Sequence, residues 1–447
     1  MVRYSRCVSV VFCCLWFVMQ TKANDEAFPS YTFQVSGSNS YSKLKCLMLV
    51  VGKSKELCSV GKLLKFDLEF SDQLDVDLKS YKQQLEPSVE AKLFGQGFSL
   101  CLYLKEMVSN KATTDVSLQL RDTNSGQVFF DKNFIVSQQA LVRDSHAIAS
   151  ELMPVLTGGK GPFLSTLAYC KQLSPGHKVV CLADFACKTE KVIVPKKTIN
   201  VAPCWHSQAP LLFYSQFTRR NSRLMSYDIT SKKSHVICPY DGLNMQPSFS
   251  QDGVRAVLCM SASGNAELYR YDQRVCNKFK KKLYTQITKN GGNNVSPCLL
   301  PNDDIVFCSD FETGKPQLYY YKHATKTTHL LTNGRGYCAA PSYCPKTNML
   351  VYTRMVKGVF QLFTLDLSME KHVERQLTFG HGDKVDPTWS PCGGYVAFAY
   401  GYTDAKTTKH NQQIAVLNMR SGKQRILTTG LTFKAFPAWT GQMVYAS

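Results

Sequence analysis

Eighteen cysteines and nine histidines are the side chains of this chain best equipped to hold a metal or to react. Either chemistry needs them at close spacing, as CxxC pairs or as Cys/His sets converging on one ion. Here they are scattered. Cys7, Cys13 and Cys14 fall in an N-terminal apolar run, which leaves fifteen, an odd number. Cys259 and Cys308 lie in strand-like stretches, where a thiol acts as a small hydrophobe. Some of the others oxidise if the chain is exported, and spacing leaves their pairing open. His206 and His381, in loops with no second ligand nearby, read as hydrogen-bonded surface residues. No GxSxG elbow, Walker A loop or HExxH helix is present. The expectation is a protein that is not an enzyme and takes no cofactor and no metal.

The N-terminus places Arg3 and Arg6 before an apolar run from Cys7 to Met19, with a small-residue exit at Ala23. That order is a secretory signal over residues 1–23, too short for a comfortable membrane span. The mature chain then starts near Asn24, exported and peripheral to membranes. The formal charge of +20 favours anionic partners such as acidic proteins and envelope polymers, and an exported chain is not expected to meet nucleic acid. The run Lys280-Lys281-Lys282 reads as a solvated edge.

What would position a functional surface is a repeat. Pro387 in "DPTWSPCGGYVAFAYG" has counterparts at Pro203, Pro247, Pro297, Pro341 and Pro437, spaced 44 to 50 residues apart. Each proline precedes a turn and an apolar strand, such as "RAVLC" or "YVAFA". A third strand ends in an acid (Asp228, Asp272, Asp366), and a fourth closes on Leu-Thr or Ile-Thr at Thr332, Thr378 and Thr428. Four short antiparallel strands per 45 residues make a propeller blade. The segment after Ser165 carries strands two to four of a blade, and "AFPAW" near the C-terminus carries a first strand alone. Joining them closes a six-bladed ring with no open edge. Trp205, Trp389 and Trp439 share one repeat position and are expected to pack between blades.

Residues 24–161 lack the repeat. "KLKCLMLVVG", "FSLCLYLKEM", "TDVSLQLRD" and "QVFFDKNFIV" read as strands, the last two joined by a turn at Thr123–Gly126. Leu57, Val60, Leu64 and Leu68 mark one helix face. A second helix, over Gln138 to Leu156, has Leu141, Ile148, Leu152 and Val155 on one side and stops at Gly158-Gly159. The fold class is an α/β N-terminal domain plus an all-β six-bladed β-propeller. Its divisions are residues 1–23, 24–161 and 162–447, with the first blade closed by 436–447.

In a propeller the chain crosses from each outer strand to the next inner strand, so the residues just before the recurrent proline ring one mouth of the channel. Leu243, Met245, Val295, Tyr337 and Phe433 offer apolar contact there, with Lys384 and Lys434 as a charged rim; Gln246 and Asn294 lie in the same loops. Such a mixture suits a protein interface.

Length, domain order, the joint "LTGGKGPF" and blades of the form P-x-W/F-S-x-D/C-G together resemble the TolB family, periplasmic propeller proteins of the Tol-Pal system. "SPCLLPND" and "YCPKTN" depart from the blade motif by lacking its glycine. The resemblance implies a non-enzymatic, monomeric periplasmic adaptor that supports envelope integrity and cell division. It implies that the propeller binds a Pal-like lipoprotein, with Leu243, Gln246 and Val295 among the contacts. It also implies that a segment at the mature N-terminus binds a TolA-like protein. Tyr31, Thr32, Phe33, Gln34 and Val35 form the one extended-looking stretch there. Propellers are reused for many tasks, so a glycan-binding propeller, or the remnant of a prolyl-oligopeptidase-type peptidase, fits the blade motif as well.

Overall fold

The computed structural model describes residues 43–444, apart from 195–197, 220, 239, 275–283, 334–335, 370–371, 404–409 and 442–443. The signal segment 1–23 and the stretch Tyr31–Val35 lie outside the described residues. Contacts divide the chain into two compact units, one built mainly on residues before Ser165 and one mainly on those after it.

The first unit is a sheet with helices. In chain order it runs β1 (Leu44–Val51), α1 (Lys55–Phe70), β2 (Leu74–Tyr81), α2 (Pro87–Phe94), β3 (Leu100–Ser109), β4 (Thr113–Asp122), β5 (Val128–Ser137) and α3 (Leu141–Thr157). The strand order is β2-β1-β3-β4-β5, parallel at β2-β1-β3 and antiparallel from β3 onward. β1 is central, and its residues from Cys46 to Val51 are all buried. An unbroken apolar run is what a strand covered on both faces requires.

Ser54 caps α1 by accepting the Leu57 N–H at 3.3 Å, which satisfies one of the helix's free first-turn donors. Leu57, Val60, Leu64 and Leu68 are buried on one face as the spacing indicates. α3 differs in phase. Its buried residues are Ser145, His146, Ile148, Ala149, Leu152 and Met153, while Val155 is 45% exposed. The reason is polar: His146 Nδ1 lies 2.8 Å from Asp67 Oδ2 of α1, both side chains buried. That pair turns the helix so that the histidine, not Val155, faces α1.

The second unit is a β-propeller. Four separate four-stranded antiparallel sheets follow one another along the chain. An eight-stranded sheet holds two more such groups, joined in the ladder at the pair Lys178↔Ile199. The inner strands are Ile199–Trp205, Asn244–Phe249, Asn294–Leu299, Cys338–Cys344, Asp383–Trp389 and Lys434–Thr440. The last of them pairs antiparallel with Thr166–Ser174, so the C-terminal strand lies in the same sheet as the first strands of this unit.

All six inner strands carry the same irregularity. The residue before the recurrent proline, namely Ala202, Gln246, Ser296, Ala340, Asp386 or Phe436, has φ between 51° and 53°. The ladder register shifts at that point in each strand. Proline has no N–H to give a ladder. A bulge with one left-handed residue carries the strand past it, at a cost of about 1 kcal/mol or more per site.

Of the three tryptophans at this repeat position, two bridge neighbouring inner strands. Trp205 Nε1 donates to Ala438 O at 3.1 Å, and Trp389 Nε1 donates to Ser342 O at 3.1 Å. Trp439 Nε1 donates to Ser165 Oγ at 2.6 Å. Each indole is nearly buried, so it contributes both packing area and one satisfied polar contact. Deleting residues 436–447 removes Trp439 and opens two strand edges. Loss of the buried indole alone costs on the order of 3 kcal/mol. The truncated protein is expected to melt well below the full chain in calorimetry or to aggregate, and an equal melting temperature would show that the closing strand contributes nothing.

Candidate protein-binding mouth of the propeller

The crossover loops are held by a polar network that recurs from blade to blade. The threonine that closes the outer strand turns inward. Thr378 Oγ1 accepts from Leu362 N and donates to Gln361 Oε1, both at 2.8 Å, while Gln361 Nε2 donates to Gly380 O at 2.7 Å. Gln317, Thr332 and Gly336 repeat the arrangement, as do Gln413, Thr428 and Gly430. In an earlier blade Glu267 replaces the glutamine, and Thr288 Oγ1 accepts from Leu268 N at 2.9 Å. Burial raises the Glu267 carboxyl above its ordinary range, against hydrogen bonds from Thr288 and Asn294 that lower it.

The position three residues before the proline completes the network. Asn200, Asn244, Asn294, Lys384 and Lys434 are all buried there. Asn244 Nδ2 donates to Ser222 O and Tyr240 O at 2.8 and 2.7 Å. Asn294 Nδ2 donates to Asn290 Oδ1 at 2.8 Å and to Glu267 Oε2 at 2.9 Å. Lys384 Nζ donates to His381 O and Phe379 O at 2.7 and 3.2 Å. Lys434 Nζ donates to Gln413 Oε1 and Thr429 O, both at 2.9 Å. Each of these side chains is buried with its donors paired, mainly to loop carbonyls for the lysines and to a mixture of backbone and side-chain oxygens for the asparagines, where an unpaired group would be costly.

The expected charged rim is therefore corrected. Lys384 and Lys434 are 2% and 3% exposed, and their ammonium groups point into the loops they brace. Met245 and Val295 are buried as well, and Asn294 is fully so. Four of the nine sequence-derived mouth positions reach the surface in part: Leu243, Gln246, Tyr337 and Phe433. Gln246 Oε1 accepts from Ser296 Oγ at 3.1 Å, which ties two neighbouring inner strands together at their bulges. Tyr337 packs edge-on against Phe360 with ring centroids 5.5 Å apart, and Phe433 lies 5.8 Å from the His410 ring.

The exposed apolar groups of this mouth are others. Tyr240 is 45% exposed, Phe379 44% and Leu431 70%, and all three sit in the loops between an outer strand and the next inner strand. Tyr240 and Phe379 lie seven and eight residues before their prolines, beyond the loops singled out by counting back from them, and in "LTFKAFP" the apolar choice fell on Phe433 rather than Leu431. A signal was available: Phe379 follows the closing Thr378 directly, and Leu431 lies three residues after Thr428. The recurrent Gln or Glu at the start of the third strand was equally readable in "PQLYYY", "FQLFTL", "NQQIAV" and "AELYRY". Among the described residues no group of three or more His, Cys, Asp or Glu converges as an ion site. No helix there is long and apolar enough to cross a membrane.

The family model of the TolB beta propeller domain matches residues 154–443. The chain belongs to the TolB family. It is 27% identical over 298 residues to the Tol-Pal system protein TolB of Francisella tularensis subsp. mediasiatica, covering 65% of this chain and 67% of that one. It is 27% identical over 241 residues to the TolB of Helicobacter pylori, covering 52% and 55% of the two chains. The matched segments thus span about two thirds and about half of those relatives. The crystal structure of TolB from Acinetobacter baumannii superposes with a TM-score of 0.76 over 89% of this chain and 96% of that one. At 19% identity this likeness shows the fold: a TolB-type β-propeller with an N-terminal α/β region.

Burial pushes the Lys384 ammonium down to about 8, against a smaller opposing effect of Asp383. A depressed lysine means that the unfolded chain binds more protons than the folded one between about pH 8 and the ordinary lysine value near 10.4. Stability from this group therefore rises with pH across that window, by at most about 1.4 kcal/mol per pH unit. In urea denaturation at pH 7 and pH 9.5, the wild type should gain on Lys384→Met as pH rises. Parallel pH profiles for the two proteins would refute the buried-ammonium account.

Proposed function

We propose that this chain is an exported, non-enzymatic, monomeric adaptor of the Tol-Pal system, peripheral to membranes and resident in the periplasm. Its propeller is a ring of six blades, the first closed by the C-terminal strand. One mouth of that ring docks a Pal-like lipoprotein, and the segment around Tyr31–Val35 engages a TolA-like inner-membrane protein by adding a strand to it. The observation that carries the reading is the set of exposed apolar side chains, Tyr240, Phe379 and Leu431, on crossover loops braced from beneath. Apolar contacts on a preordered frame are what a specific interface uses at its centre. Family membership supports the choice of partner, because the relatives are named as Tol-Pal system proteins.

The partner's contact surface includes Leu243, Gln246, Tyr337 and Phe433 directly. Met245, Asn294, Val295, Lys384 and Lys434 act through the loops they hold. Leu431→Asp combined with Phe379→Ser changes exposed groups only. It should weaken binding of a purified Pal-like lipoprotein domain at least tenfold, about 1.4 kcal/mol, with melting unchanged. Wild-type affinity in that folded variant would move the site to another surface.

Removing residues 24–40 should abolish binding to the TolA-like protein and leave the lipoprotein affinity as it was. Retention of both interactions would rule out the N-terminal segment as the second contact.

A further inference from the structure

At the end of the propeller away from the crossovers, the inner strand of one blade meets the following blade's first turn. Between Ile199–Trp205 and the next blade, His206 Nε2 lies 3.1 Å from Gly253 O. Gly253 has φ 74°, and a Cβ placed on it would come within 2.4 Å of the histidine ring. The junction is repeated where Cys338–Cys344 meets the turn after Asp383–Trp389, with different residue types. Cys344 takes the place of His206, three residues after its proline, and Gly393 takes the place of Gly253.

A Cβ on Gly393 would lie 3.1 Å from Cys344 Sγ, with Lys346 and Thr347 of the turn after Cys344 at 3.7 and 3.6 Å. The residue before Gly393 is Cys392. Its thiol is half-buried and lies 3.2 Å from Ser390 Oγ. Cys344 is 2% exposed. Two thiols from adjacent blades therefore serve one turn, a sheltered one aimed at its backbone and a partly open one in the neighbouring residue. Consecutive Cα atoms are only about 3.8 Å apart. Closing a bond between the two requires Cys392 to rotate away from Ser390 and toward the Cys344 thiol that faces the next residue, Gly393.

We propose that Cys344 and Cys392 are a disulfide site that links two adjacent blades covalently. The oxidant is a small-molecule or protein disulfide such as oxidised glutathione. The open Cys392 thiolate attacks it, forming a mixed disulfide and releasing one thiolate. The sheltered Cys344 thiolate then attacks Cys392 Sγ, forming the Cys344–Cys392 bond and expelling the second thiolate. Two thiols are oxidised, one external disulfide is reduced, and two protons leave with the thiols. The bond spans a segment of nearly fifty residues, so it restricts the unfolded chain and resists separation of the two blades. It rests on the geometry of the junction and is read in a defined redox buffer, independently of where the chain resides or which partner it binds.

The test is full-length protein equilibrated in oxidised and reduced glutathione, alkylated and digested with trypsin. The linked species joins the peptide beginning at Gly336 to the one beginning at Val385. Because the first also contains Cys338, fragmentation must assign the bridge to Cys344. That bridge, together with a melting temperature that falls by a few degrees on reduction in wild type and does not change in Cys392→Ser, supports the site. Free alkylated Cys344 and Cys392 in the folded protein overturn it. So does a bridge from Cys392 to any other cysteine, or a glutathione adduct that stays on Cys392 without being resolved.

Discussion

A proline in the middle of a paired strand leaves a gap in the ladder, and the propeller is organised around six such gaps. At each one the chain places the preceding residue in the left-handed region and shifts the register. The strain is acceptable because it is local and because it aims the following side chains. At three of them an indole, Trp205, Trp389 or Trp439, stands two residues beyond the proline, close enough to donate to the neighbouring inner strand or, for Trp439, to Ser165. At five of the six, a buried Asn or Lys stands three residues before the proline and braces the crossover. The bulge is thus the hinge between the packing of one blade on the next and the shape of the mouth.

Much of this was legible in the sequence, because strand pairing repeats and repetition survives divergence of individual residues. The proline spacing, the aspartates ending the third strands and the closing threonines all recur at one interval, and they located every inner strand. What spacing concealed was side-chain direction. Lys384 and Lys434 look like rim charges because lysine is seldom buried. Their burial depends on several loop carbonyls that converge only once the loop has folded. The phase of α3 was hidden for a related reason. Counting apolar residues alone selects Leu141, Ile148, Leu152 and Val155, whereas the buried stripe is centred on His146, whose partner Asp67 is 79 residues away.

Two elements of the α/β unit carry too little periodicity to stand out. β2 buries only Leu74 and Val76 among its eight residues, and α2 buries only Leu93. As a short edge strand and a two-turn helix, they are held by tertiary contacts more than by their own pattern. Leu93 packs with Leu47, Leu49 and Cys101 on the face of the sheet that α2 covers. The contrast with α1 is instructive, since four leucines and valines at helical spacing there made both the element and its buried face plain.

The same buried polar network that escaped the sequence reading also fixes the shape of the mouth. A loop that is ordered only on binding charges its conformational entropy to the complex. Here four crossovers are already fixed from below by a threonine with a glutamine or glutamate, and five carry a buried asparagine or lysine with satisfied donors. Loops held in this way can afford apolar groups such as Leu431 and Phe379 facing outward, because the fold does not need those side chains for its own core. Their exposure is therefore a property of the surface and separable from stability, whereas the lysines beneath them belong to the fold. Substitutions at the two levels should act on different observables, affinity for the upper layer and loop stability for the lower, even where the residues are neighbours in sequence.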